Sequence, residues 1–326
     1  MVRFEDVAKR FGDKTVLDGM NFSVAPGERV TLIGPSGSGK TTIGLHRLAY
    51  LVFQDPRRFQ PHKMLVVVFN DALARYVSRV LPALGVENVP VTTYERWASR
   101  LRRSHISHLP QEYAEDTPAV VTRLKKHPAM LRLIDEYAKG VSAKVNQSIE
   151  EVCKRLEGGG RAMAAWRSTR GQAPGARLDE LRGWPKEALT HEDPIGREAK
   201  VAIERAIGRA MAEHTDVVSA WAELLTDHGK LARALEGFEG TGLSERELSW
   251  AHSWCSEKIP LATAWREERM EAERDGGAVR EYAIGADGGN EEEVVTVDVE
   301  DDAIMLRLCE RVVGPLRRKR EALEYE

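Results

Sequence analysis

The sequence predicts an α/β fold, in which a parallel, doubly wound sheet forms a core and a large, mostly helical domain is inserted into it. Three observations carry this. A strand-like run, "RVTLI" (Arg29 to Ile33), feeds a glycine-rich loop and then a helical pattern. Strand-like and helical stretches go on alternating to about residue 103, as parallel sheets with crossover helices require. From about Ser104 to Ala272 strand-like runs disappear and helical periodicity takes over.

Taken in order, residues 1–42 read as β-rich. "VRFEDV" and "MNFSVA" are short apolar runs punctuated by "FGDK" and "PGE", the residue chemistry of turns. From Thr41 to about Phe53, Ile43, Leu45, Leu48 and Leu51 recur at helical spacing. "MLVVVF" (Met64 to Phe69) is a continuous apolar run, as in a strand covered on both faces, and "DALARYVSRVLPAL" is helical with Asp71 as its N-cap. "NVPVTTY" supplies a further strand, followed by the helical "ERWASRLRR".

In the helical region, Ile203, Ile207 and Met211, then Val218, Trp221 and Leu225, form one apolar stripe along a single stretch. Ser244 and Glu247 have capping-box spacing, with Leu243 and Leu248 placed as a hydrophobic staple. Trp166, Trp221, Trp250 and Trp254 are expected to anchor this core. "VVTVDVED" alternates like a half-exposed strand.

Composition limits the function classes. Lys and Arg number 48 against 51 Asp and Glu, giving a formal net charge of -3, so any nucleic-acid surface would have to be a local basic patch. Cys153, Cys255 and Cys309 are too scattered for a disulfide framework or zinc knuckle and are expected to be buried, reduced thiols of a cytoplasmic protein. No apolar run approaches a membrane span, so membrane insertion is not expected.

The strongest chemical signal is Gly34, Gly39, Lys40 and Thr41, which satisfy G-x-x-x-x-G-K-[ST]. Backbone N–H groups of such a loop, here Gly34 to Thr42 with Ser36, Gly37 and Ser38 inside it, wrap a phosphate closely, and glycines allow that approach. Lys40 would meet the β- and γ-phosphates, the Thr41 hydroxyl would ligate Mg²⁺, and the positive end of the following helix would add to both. MgATP is therefore the expected ligand.

"VRFEDVAKRFGDKTVLDGMNFSVAPGERVTLIGPSGSGKTT" (Val2 to Thr42) resembles the ATP-binding subunit of ABC importers of the polar amino-acid or ectoine type. The resemblance implies a P-loop NTPase fold, and an adenine-stacking role for Phe11; a buried strand-end phenylalanine is the other reading of that residue. "VFQDPRRFQPH" imitates the family's glutamine loop but follows Lys40 too closely to leave room for intervening strands, so Gln54 reads as a helix-end residue. The family's "LSGGQ" signature is absent, and "EGGGR" (Glu157 to Arg161) does not replace it.

From "GSGKTTIGLHRLAYLV" onward the chain resembles superfamily 1 helicases of the UvrD/Rep and HelD-like kind. That resemblance implies a RecA-like core, with "VVVFNDALARYV" and "TTYERWASRL" at two of the family's strand-binding motifs. Asn70, Thr93 and Tyr94 would then contact single-stranded nucleic acid, with Trp97 and Arg100 beside them. The sequence departs from the pattern where the first motif usually continues Lys-Ala-Ala and the second has His in place of Glu95. The adenine-recognising glutamine motif ahead of the loop, the Asp-Glu pair and the arginine finger have no counterpart; Asp298 stands after an apolar run, but Val299 follows it.

These readings divide the chain into an ABC-like leader and loop (1–42), a helicase-like α/β segment (43–103), a helical insertion (104–285) and a return to an incomplete core (286–326). They imply a protein that binds MgATP and hydrolyses it very slowly alone, with single-stranded nucleic acid or RNA polymerase as partner. Under the ABC alternative the partner is a membrane permease; a third reading is a non-enzymatic interaction module. "RWASRLRRSH", "RLKKH" and "LRRKR" are either strand-binding patches or solvated helix faces.

Overall fold

The computed structural model describes residues 2–24, 39–157, 159–188, 197–238, 242–275 and 295–316. The chain divides into two compact units, Met1–Thr93 and Tyr94–Glu326. The division falls at Thr93, ahead of the 103/104 boundary anticipated from the sequence, because the helix that follows it packs with the helical unit.

In the first unit, β1 (Val2–Phe11) and β2 (Lys14–Val24) pair antiparallel in a hairpin. Phe11 pairs with Lys14, leaving Gly12 and Asp13 as a two-residue turn. Gly12 has φ +58°, the positive angle that such tight hairpin turns demand. The register slips between Phe4 and Val7, where Asp6 bulges and its N–H donates to Asn21 Oδ1 at 2.7 Å.

Downstream, α1 (Lys40–Gln54) is followed by a short 3₁₀ turn, Pro61–Lys63, and then by β3 (Val66–Val68), α2 (Asp71–Ala83) and β4 (Val91–Thr93). The two strands pair parallel, Val66 with Val91 through Val68 with Thr93, so α2 is a crossover helix, as the sequence alternation predicts. Leu45 of α1 and Val77 and Leu81 of α2 are buried together, with Val66, Val68 and Val91 against them. The expectation that "MLVVVF" is covered on both faces is not met: Val67 is 47% and Phe69 92% exposed. Period-two geometry puts Val66 and Val68 on the covered face and Val67 on the other.

The second unit is helical among its described residues: α3 (Tyr94–His105), α4 (Ala119–Lys125), α5 (Ala129–Arg155), α6 (Gly159–Ser168), α7 (Pro174–Ala188), α8 (Arg197–His214), α9 (Val217–Thr226), α10 (His228–Leu235), α11 (Glu245–Arg274) and α12 (Val299–Leu308), the last running into a π turn, Cys309–Val313. Long α5 and α11 are its axes; α5 packs on α6, α8 and α10, and α11 on α4 and α9. The stripe read as one stretch is two helices. Asp216 interrupts it, accepting from the Val218 N–H at 3.0 Å and capping α9. Its apolar residues are nonetheless core: Ile203, Ile207, Val218, Trp221 and Leu225 are buried.

Ser244 and Glu247 form the reciprocal capping box expected of them at the start of α11, with Leu248 buried and Leu243 packed on the core. Trp166 and Trp221 are buried anchors, and Trp254 is partly buried against the core, but Trp250 is 56% exposed. All three cysteines are free and buried. Among the described residues no helix is long and apolar enough to cross a membrane.

Candidate phosphate-binding site

Gly34, Ser36, Gly37 and Ser38 lie outside the described residues; Gly39 is where description of the loop resumes. Gly39 has φ +80° and ψ 10°, the left-handed region, which a residue bearing a Cβ enters only at a cost. The carbonyl of Gly39 accepts from the Ile43 N–H at 2.9 Å, closing the first turn of α1. Lys40, Thr41 and Thr42 are the first three helical residues, and Thr41 and Thr42 are exposed.

The sequence leaves this helix end open to an anion. Among the described residues no side chain caps it, and its first turn holds no acidic residue. The first N–H groups of a helix have no partner inside it, and the helix dipole places partial positive charge there. A 15-residue helix behind a left-handed glycine, with Lys40 at its first position, is thus chemically suited to hold a phosphate. Phe11 ends β1; its side chain is not among those described. Gln54 is the last residue of α1, as expected, and is exposed.

The residues assigned by resemblance to strand binding are not alike. Asn70, rather than Asp71, is the N-cap of α2, and its Oδ1 accepts from the Leu73 N–H at 2.9 Å. That bond gives Asn70 a local structural role that the resemblance did not anticipate. Thr93 is 7% exposed, which removes its side chain from the reach of an incoming base. Tyr94 and Arg100 are exposed, and Tyr94 and Trp97 stand one helical turn apart with ring centroids 5.8 Å apart.

Several basic residues are engaged inside the protein. Arg102 is buried and pairs with Asp302 at 2.6 Å. In "RLKKH", Arg123 pairs with Glu247 and Lys126 with Glu300, both at 3.0 Å. Lys125 is buried between Asp298 at 2.5 Å and Asp301 at 2.7 Å. Only Leu316 of "LRRKR" falls within the described residues.

These bonds also fix the role of Asp298. The expected half-exposed strand is a single bridge, Val297 to Tyr113, after which Asp298 precedes α12. Its carboxylate accepts from Lys125 Nζ, from Thr117 Oγ1 at 2.7 Å and from Trp254 Nε1 at 3.3 Å. Trp221 Nε1 donates to Asp301 at 3.0 Å, and the Tyr113 hydroxyl to Asp302 at 2.5 Å. Burial pushes Asp301 up, and the Lys125 charge opposes it. On Lys125 burial is outweighed by the surrounding acids, so its pKa rises and it stays charged. Asp298 belongs to a core ion cluster; the sequence showed its acidity but not the lysine that meets it.

Residues 17–49, which contain the loop and most of α1, match the family model for ABC transporters. The aliphatic sulfonates import ATP-binding protein of Pseudomonas syringae pv. syringae is 41% identical over 96 residues, covering 23% of this chain and 34% of that protein. The Nod factor export ATP-binding protein I of Paraburkholderia xenovorans is 56% identical over 41 residues, 13% of this chain and 14% of that one. The zinc import ATP-binding protein of Pseudomonas fluorescens is 56% identical over 43 residues, 13% of this chain and 16% of that one. The chain spans about a third or less of the length of these relatives. No solved structure matches it. The family match falls on the loop, and none of these comparisons supports the helicase resemblance; what the chain shares with these proteins is an ATP-binding P-loop segment.

Proposed function

We propose that this chain binds MgATP through residues 34–42, with Lys40 on the β- and γ-phosphates and Thr41 on the metal. The observation that carries the reading is the coincidence of the ABC-type match over residues 17–49 with an acid-free start of α1 at Lys40 that no described side chain caps. Bound ATP and Mg²⁺ would supply a phosphoanhydride and its counter-charge. The chain's own part is to cradle the phosphates with backbone N–H groups and to balance their charge with Lys40. By analogy with the import and export proteins it resembles, a membrane permease is the partner class that fits this segment best.

Titration of the chain with a fluorescent ATP analogue and Mg²⁺, beside its Lys40→Ala variant, tests the reading. Saturable binding that falls at least about tenfold in the variant is expected, the loss of one strong charge-assisted contact. Equal binding by the two proteins would overturn it.

A second reading adds a nucleic-acid partner, as in the helicase-like resemblance; it is favoured by the exposed Tyr94 beside Trp97, an aromatic pair of the kind on which bases stack. Single-strand binding weakened by Tyr94→Ala is expected from it. Binding that Tyr94→Ala leaves unchanged counts against it.

A further inference from the structure

In the helical unit a groove of about 1340 Å³ lies between α5, the turn joining α6 to α7, and the π turn. Arg177 of α7 lines it and is only 6% exposed, its guanidinium 3.7 Å from the centre of the Trp166 ring. It donates from Nε to Thr169 Oγ1 at 3.1 Å, from Nη1 to Asn146 Oδ1 at 2.9 Å and from Nη2 to the Trp166 carbonyl at 3.1 Å. All three acceptors are neutral. A guanidinium has five N–H donors, so Nη1 and Nη2 each keep one for a further acceptor.

Among the described residues no carboxylate pairs with Arg177, nor with Arg167 or Arg170 at the end of α6. The four acids of the groove have partners of their own: Glu180 accepts from Gln172 at 2.9 Å, Asp179 lies 3.6 Å from Arg182, Glu150 lies 4.0 Å from Lys154, and Glu310 pairs with Arg307 at 2.7 Å. Burial first, and the Arg170 charge second, push Arg177 below the ordinary arginine value. An uncompensated buried cation is costly, and an anion placed against it removes that cost.

The start of α7 points to the same chemistry independently. Its first turn holds no acid and opens on Pro174, and Pro174 and Ala176 line the groove. A Cβ on Gly175 would lie 2.6 Å from the Val313 carbonyl oxygen, so the helix start is packed directly on the π turn. The Arg177 N–H bonds back to the Ala173 carbonyl at 3.1 Å, so what this helix start brings to the groove wall is the positive end of its dipole.

We propose that this groove binds a phosphate dianion, either the phosphomonoester of a small molecule or a polyphosphate, with Arg177 and Arg170 as its charge partners. Two guanidinium groups that no described carboxylate pairs with, and a helix start, match a doubly charged group better than the single charge of a nucleic-acid phosphodiester. The site is built from residues of the helical unit alone and rests on no residue of the loop at Lys40.

The test is isothermal titration of inorganic pyrophosphate into the full chain carrying Lys40→Ala, which silences the loop, and then into the same chain with Arg170→Gln or Arg177→Gln. One saturable site, weakened about tenfold or more by either change, is the expected result. Arg170 is exposed, so its substitution reports on binding even where loss of Arg177 disturbs folding. Three results overturn the proposal, the first two being no pyrophosphate binding and binding that Arg170→Gln leaves unchanged. A third is an oligonucleotide without a terminal phosphate that binds through Arg170 while pyrophosphate does not.

Discussion

Lys125 and Asp298, 173 residues apart in the chain, meet at 2.5 Å in the core of the helical unit. Asp301 stands 2.7 Å from the same ammonium, so one cation serves two carboxylates where α4, α9 and α12 converge. Bonds from Trp254 and Thr117 to Asp298, and from Trp221 and the Asp298 N–H to Asp301, complete the set in which every oxygen of the two acids has a donor. A cluster so completed is tolerated inside a protein; a broken one is not.

Lys125→Met keeps most of the side-chain volume and removes the charge, leaving Asp298 and Asp301 buried without a counter-ion. The expected cost is about 3–5 kcal/mol, read as a fall in the urea midpoint of the helical unit. A change below about 1 kcal/mol would mean that the cluster contributes little beyond packing.

The capping box gives an acid-side prediction. Glu247 is only half-exposed, and the Ser244 backbone N–H, then the Ser244 hydroxyl and Arg123, hold its carboxyl at about 2, below the ordinary 4.5. A depressed carboxylate contributes stability that is fully present above the unfolded value and is lost as pH falls through the folded one. Stability should therefore decline between about pH 4.5 and pH 2, and Glu247→Gln should flatten that decline relative to the parent. Urea midpoints collected across this window, with the same slope in both proteins, would reveal the mutation as irrelevant to acid unfolding.

This contrast shows what was legible in the sequence. Ser244 and Glu247 are three residues apart, and their pairing follows from helix geometry, so the start of α11 could be read directly. Lys125 and Asp298 are joined only by the tertiary fold, and no spacing rule connects "RLKKH" to "VVTVDVED". Alternation in the second segment imitated a strand because Val295, Val297 and Val299 recur at period two, but burial of Asp298 and the start of α12 at Val299 override it. Asp216 was missed as a helix break because the apolar stripe continues in phase on either side of it. The phosphate loop was the opposite case: its chemistry is local, and α1 begins where the motif requires.

Asn70→Ala separates a cap from a ligand contact. The Asn70 side chain satisfies the Leu73 N–H, and loss of an N-cap of this kind costs about 1 kcal/mol. A stability loss near that size is expected, with the affinity for ATP analogue unchanged. If single-stranded nucleic acid binds the parent and Asn70→Ala weakens that binding more than tenfold without a stability loss, the cap assignment is wrong and the strand-binding one is right.

Gly85 follows the end of α2 with φ +73°, its N–H donating to the Pro82 carbonyl at 2.9 Å. A Cβ there would meet Phe53 Cζ at 2.9 Å, but Phe53 is 68% exposed and its ring is free to swing away. The steric clash is therefore the lesser cost, and the left-handed backbone the greater. Gly85→Ala should destabilise the first unit by about 1–2 kcal/mol, and Gly85→Asn by less, because asparagine enters that region more readily. Equal losses from the two substitutions, measured by denaturant unfolding, would shift the cause from backbone conformation to the crowding of Phe53.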